Sequence, residues 1–164
     1  MGCCGAMTAT EDIVRQLIDA ARAARKNGYA PYSRFKVGAA VLLTDGEIVV
    51  GANFENASLG LSLCAETVAL AAANALGRFA DIDAIAVVGG PTESSDEGQG
   101  SKHAVTPCGR CRQILNEAQQ VAGRPISVHC APLYGDTMVE HSVTSLLPFA
   151  FGPNDLGITP QRKS

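Results

Sequence analysis

Asp83-Ala-Ile-Ala-Val-Val-Gly89 is the stretch whose reading decides the fold. It is short and almost wholly apolar, without the polar alternation of a half-exposed strand. Such a run suits a strand buried on both faces, which predicts parallel pairing and helices on each side of the sheet. Upstream of it, residues 64–76 read as an alanine-rich helix and residues 52–63 as a polar, glycine-containing loop. Phe35 to Leu43 and Glu47 to Gly51 read as two strands around Thr44-Asp45-Gly46, because Asp-Gly between β-branched runs signals a hairpin. Residues 8–28 read as the first helix. Thr8 and Glu11 fit a capping box, Ile13, Leu17, Ala20, Ala21 and Ala24 share one face, and Gly28 ends it. Downstream, residues 90–104 mix proline, glycine, serine and acids without periodicity and predict a flexible surface loop. Pro107 to about Gln120 reads as a helix, Pro125 to Ala131 as a strand, Thr137 to Glu140 as an edge strand, and His141 to Leu147 as a short helix. The order α-β-β-α-β-α-β-β-α predicts a mixed sheet between helical layers.

A chain of 164 residues fits one domain that buries about two thirds of its surface. Apolar residues at 46% against 18% charged exclude disorder as the overall state. With a net charge of -3 and no basic stripe, the sequence argues against a general nucleic-acid or anionic-membrane binder. No apolar run is long enough to span a membrane.

Six cysteines divide into groups. Cys3 and Cys4 lie in an N-terminal tail, Cys130 lies in an apolar run, and Cys64, Cys108 and Cys111 lie at helix starts. The pattern is too sparse for a disulfide scaffold and no signal peptide is visible, so the chain reads as cytoplasmic with reduced thiols. The opening Met1-Gly2-Cys3-Cys4 hints at acylation, but Ala6 stands where a myristoylation pattern wants serine or threonine.

The chemistry concentrates in Cys64-Ala65-Glu66 and Pro107-Cys108-Gly109-Arg110-Cys111. Residues three apart on a helix share a face, which brings Cys108 and Cys111 together. A helix N-terminus favours the thiolate that a metal needs. Three thiolates suit Zn²⁺ with a fourth position for water. Glu66, two positions after a candidate ligand, suits proton transfer beside a metal-activated water. A structural zinc is the alternative; it would need a fourth ligand such as His103, His129 or Cys130.

The chain resembles the small cytidine deaminases of the homotetrameric three-cysteine type. The resemblance covers about residues 8–157. Its blocks are Tyr32-Ser33-Arg34-Phe35-Lys36-Val37-Gly38-Ala39-Ala40, Asn53-Phe54-Glu55-Asn56-Ala57, the two cysteine blocks just given with Arg112-Gln113, and Leu147-Pro148-Phe149-Ala150-Phe151-Gly152-Pro153. It implies an α/β fold, a three-layer α-β-α sandwich on a mixed five-stranded sheet. Residues 8–157 form a single domain, with a flexible tail at 1–7 and another at 158–164.

The resemblance also implies roles. Cys64, Cys108 and Cys111 hold one Zn²⁺ per chain. Glu66 moves protons from water to the ring nitrogen beside C4 and then to the departing amine, turning cytidine or 2′-deoxycytidine into the uridine product and ammonia. Asn53 and Glu55 clamp the ribose; without the flanking blocks they would read as a loop asparagine and a solvated acid. Phe35 packs against the base, Ala65 contacts it through its backbone, and Thr106 offers its carbonyl to the amine. Phe151 reaches a neighbouring subunit's site in a homotetramer, where simple packing of the tail is the alternative. Thr67 stands where many relatives carry an arginine bonded to a ligand sulfur, so the charge balance is expected to lean on Arg112 and the two helix N-termini. Three rivals stay open. The first is a deaminase of a modified cytosine nucleoside or of an antibiotic such as blasticidin S. The others are a polynucleotide-editing deaminase, which the charge and low aromatic content oppose, and a structural zinc module. The expected partner is a small nucleoside, with neither nucleic acid nor membrane.

Overall fold

The computed structural model describes residues 9–92 and 103–159. The helices are α1 (Ala9–Arg25), α2 (Ala65–Ala75), α3 (Gly109–Ala122) and α4 (Val143–Leu146). The strands are β1 (Phe35–Leu43), β2 (Ile48–Ala52), β3 (Ile82–Pro91), β4 (Ser127–Ala131) and β5 (Val139–Ser142). They form one sheet in the order β2-β1-β3-β4-β5. β1 runs antiparallel to both β2 and β3, β3 runs parallel to β4, and β4 runs antiparallel to β5.

β3 occupies the centre, with almost every residue from Ile82 to Gly90 buried. Parallel pairing holds on its β4 side only. Burial on both faces follows from central position between helical layers, whichever way the neighbours run, so an apolar run reports centrality better than direction. Ala39, Val41 and Leu43 of β1 with Ile85 and Val87 of β3 face α2, α3 and α4. The alternate residues Ala40, Leu42, Ala84, Ala86 and Val88 face Leu17, Ile18 and Ala21 of α1. Period-two alternation therefore feeds two separate cores, giving three layers.

Gly38 lets α1 lie directly on β1, since a Cβ there would stand 2.0 Å from the Ala21 carbonyl oxygen. Arg25, nearly buried at the end of α1, donates through Nε to the Lys36 carbonyl and through Nη2 to those of Gly90 and Pro91. It ties the helix to the start of β1 and the end of β3, the two ends that flank Phe35.

Element ends differ from the sequence reading in physically clear ways. α1 stops at Arg25 because Asn27 and Gly28 donate to carbonyls three residues back, tightening the chain into a turn. β2 begins at Ile48 because the Glu47 amide donates to the Asp45 carboxylate inside the turn. Gly46 there has φ of +90°. His141 and Ser142 belong to β5, not to the last helix. His141 pairs with Val128, and Ser142 is the extended N-cap whose side chain accepts from the Ser145 amide at 3.0 Å. The loop at 52–63 contains a 3₁₀ turn at Leu59–Leu61 and is pinned by bridges from Phe54 to Tyr29 and Leu63. Thr8 of the expected capping box, Cys3, Cys4, both terminal tails for most of their length, and most of the 90–104 loop lie outside the described residues.

Candidate active site

Cys64 is the N-cap of α2 and Cys108 the N-cap of α3. Neither sulfur caps a backbone amide of the helix it precedes, so both stay available for another partner. Cys111 sits one turn into α3. The Sγ atoms of Cys64 and Cys108 lie 3.7 Å apart and those of Cys108 and Cys111 3.6 Å apart. All three sulfurs fall within 4.8 Å of one another, and among the described residues they form the one such cluster. Tetrahedral zinc with bonds of about 2.3 Å needs sulfurs about 3.8 Å apart, so the three thiols fit the ion. His103, His129 and Cys130 are outside the cluster. Cys111 is buried, Cys64 half-buried and Cys108 exposed, so the cluster grades from the core to a cleft.

Hydrogen bonding from Cys111 and then Cys108 holds the Cys64 thiol down to about 6, and the charge of Arg110 adds to this. As the partner that keeps its proton, Cys111 is pushed up, through Cys64 and through burial. The Thr67 hydroxyl lies 3.6 Å from the Cys111 sulfur. Arg112 donates to the Pro107 and Leu146 carbonyls at 2.7 and 3.1 Å and to the Thr106 hydroxyl at 3.3 Å. None of these bonds goes to a sulfur.

The cluster opens into a cleft of about 380 Å³ lined by Phe35, Asn53, Glu55, Cys64, Ala65, Glu66, Thr106 and Cys108. Glu66, in the first turn of α2, is 4% exposed, and burial raises its carboxyl above the ordinary range. A larger cleft of about 610 Å³, between α1 and the β4–β5 edge, contains none of these residues.

The chain matches the family described as "Cytidine and deoxycytidylate deaminase zinc-binding region" over residues 11–123. That span is more than half of the chain and includes all three clustered cysteines and Glu66. The chain belongs to the cytidine and deoxycytidylate deaminase family. It is similar to the cytidine deaminase of Halalkalibacterium halodurans, at 44% identity over 142 residues that cover 87% of this chain and 96% of that one. The cytidine deaminase of Mycobacterium tuberculosis is 39% identical over 138 residues, covering 81% and 85%. The crystal structure of cytidine deaminase from Burkholderia pseudomallei superposes with a TM-score of 0.70 at 42% identity, over 88% of this chain and 100% of that one.

Within this family member, the remaining candidates fall into distinct positions. Asn53 accepts from the Val37 amide and donates to the Phe35 carbonyl, both at 2.9 Å. It therefore braces β1 while keeping one N–H and one lone pair for another partner. Glu55 accepts from the Tyr32 and Ser33 amides through Oε2 and lines the cleft. Bonds from Ser33 and Tyr32 hold its carboxyl below the ordinary range. Phe151 does not line its own chain's cleft; its ring is 60% exposed. Its carbonyl accepts from Gln113 at 2.8 Å and Asn116 at 3.3 Å, which anchors that backbone on α3.

Sequence reading missed Val37, Val87 and Val105, which form the apolar wall of the cleft. The first two are strand residues with no signal beyond their apolar character. It also missed Arg110, whose Nη1 donates to the Ser62 carbonyl at 3.4 Å. Its place between two ligand-type cysteines was the available clue. No helix among the described residues is long and apolar enough to cross a membrane.

Proposed function

We propose that this chain converts cytidine and 2′-deoxycytidine to uridine and 2′-deoxyuridine with release of ammonia. One observation carries the reading. A single cleft is lined by Cys64 and Cys108 of the three-thiol cluster, by the buried Glu66, and by the polar side chains of Asn53 and Glu55, with Cys111 closing the cluster from the core side.

Cys64, Cys108 and Cys111 are the residues that would hold zinc. When bound, the ion supplies Lewis acidity that makes water a nucleophile near neutral pH. Glu66 takes the proton of the attacking water on its carboxylate and passes it to the ring nitrogen beside C4. It then takes the proton of the hydroxyl added at C4 and carries it to the exocyclic amine, so that the C4–N bond breaks, ammonia leaves and the C4 carbonyl forms. Burial suits this work, because a carboxyl withdrawn from bulk water exchanges its proton with the substrate and not with solvent. Phe35 packs on the pyrimidine ring, the Ala65 backbone meets its polar edge, and Asn53 with Glu55 fixes the sugar hydroxyls. Such clamping holds C4 in one place against the nucleophile. The Thr67 hydroxyl orients Cys111, and Arg112 braces the turn before Cys108.

Residues 8–157 make up the catalytic domain, with tails at 1–7 and 158–164. The working form is a homotetramer in which Phe151 reaches a neighbouring subunit's cleft. Two features support this. The Phe149 and Phe151 rings are exposed on one short segment, and Phe149 is held at a φ of +56° unusual for a bulky residue. A site built on free thiols suits a reducing cytoplasm.

The test follows the ultraviolet change as purified protein acts on cytidine and on deoxycytidine, with zinc per chain measured on the same sample. Turnover with about one zinc per chain is expected. Zinc without turnover on either nucleoside would overturn the substrate and move the reading to a modified cytosine or to a structural metal.

A further inference from the structure

We propose that Arg110 is a positioning residue of the metal centre. Its guanidinium, set between Cys108 and Cys111, ties that turn to the segment entering Cys64 and places a positive charge beside the three thiolates. The inference rests on the reading of the cluster as a zinc site.

Three thiolates around Zn²⁺ leave one net negative charge, and a site of this kind is stabilised by donors and cations around its ligands. Candidates for that charge are few here. Thr67 reaches Cys111 at 3.6 Å, but its hydroxyl is neutral. Arg112 is tied to the Pro107 and Leu146 carbonyls and the Thr106 hydroxyl, and none of these bonds goes to a ligand sulfur or to the segment entering Cys64. Arg110 differs on both counts. Its Nη1 donates to the carbonyl of Ser62, two residues before Cys64, at 3.4 Å. It also stands in α3 between Cys108 and Cys111, so the one guanidinium meets both ligand-bearing segments. The two ligand-bearing segments come from distant parts of the chain, one entering α2 and one entering α3. Arg110 spans them from the α3 side, so its charge acts at the junction that the metal must hold closed. The exposure of Arg110 makes the effect sensitive to ionic strength.

The test measures zinc passing from fully loaded protein to an excess of a chromogenic chelator, a readout independent of turnover. Arg110→Gln keeps a side-chain donor for Ser62 but lacks the charge; Arg110→Lys keeps the charge. At low salt, Arg110→Gln is expected to release zinc about tenfold faster than wild type. Arg110→Lys is expected to stay close to wild type, and the gap should narrow in concentrated sodium chloride. Both variants are accompanied by a thermal melt, so that any loss of fold is seen directly. Equal release from wild type and Arg110→Gln would overturn the proposal. So would release from Arg110→Lys as fast as from Arg110→Gln, or a gap indifferent to salt. If wild type bound no zinc, the metal reading itself would fall first, an outcome distinct from all of these.

Discussion

A Cβ placed on Gly51 would stand 2.4 Å from the backbone nitrogen of Ala69, so β2 and the first turns of α2 touch backbone to backbone. The Ala65 carbonyl oxygen would lie only 2.6 Å away. Neither neighbour is a flexible side chain that can swing aside. Gly51→Ala must therefore lift the N-terminal end of α2, which carries Cys64 and Glu66. Overpacking of this kind costs about 1–3 kcal/mol or more. The expected result is a melting temperature lowered by roughly 5 °C, with a smaller share of chains holding zinc. An unchanged melt and full zinc content would show that α2 shifts without penalty.

That contact also shows where the sequence was legible and where it was not. The hairpin, the central strand and the helices bearing the cysteines could be read locally, because each depends on turn chemistry or periodicity within a few residues. The cysteine cluster could be read because thiols have few other reasons to recur beside a glutamate at helix starts. Gly51 looked like an ordinary strand end, since its partner Ala69 is eighteen residues away and the contact exists only after α2 has docked. Arg110 was hidden for the same reason, its acceptor being the carbonyl of Ser62 on the other ligand-bearing segment. The directions of strand pairing were illegible as well. β3 is equally apolar whether β1 runs with it or against it.

Glu66→Gln keeps the size of the side chain and removes its ability to carry a proton. The variant is expected to hold zinc as wild type does, because the three sulfurs are untouched, while kcat falls by roughly 10²–10⁴. Metal analysis and a turnover assay on the same preparation decide it. Turnover within a few-fold of wild type would remove Glu66 from the proton path.

Glu55→Gln separates a clamp from a turn. The amide oxygen can still accept from the Tyr32 and Ser33 amides, which bond to Oε2 at 2.9 and 3.3 Å, so the loop is expected to keep its shape. What disappears is the charge that strengthens a hydrogen bond from a sugar hydroxyl. KM for cytidine should rise several-fold, with kcat changed less and the melting temperature unmoved. A fall in kcat with KM constant would place Glu55 in the chemical step instead.

His129, outside the residues that line the cysteine cleft, gives the native state a pH dependence of its own. It is 5% exposed on β4, its Nδ1 is buried without a hydrogen-bond partner, and burial lowers its imidazole below the ordinary range against a smaller opposing pull from Glu140. The folded chain therefore keeps this ring neutral where the unfolded chain protonates it. Below the unfolded value of about 6.5 the unfolded state binds a proton that the native state lacks, so stability falls as pH falls and is flat above. A single group of this kind contributes at most about 1.4 kcal/mol per pH unit. His129→Leu removes the titration and fills the site with apolar volume. Urea titrations of wild type and variant between pH 8 and pH 5.5 should diverge on the acid side, with wild type losing more stability. Parallel pH profiles would mean that the buried imidazole accepts its proton in place, with Glu140 opposite it as the counter-charge.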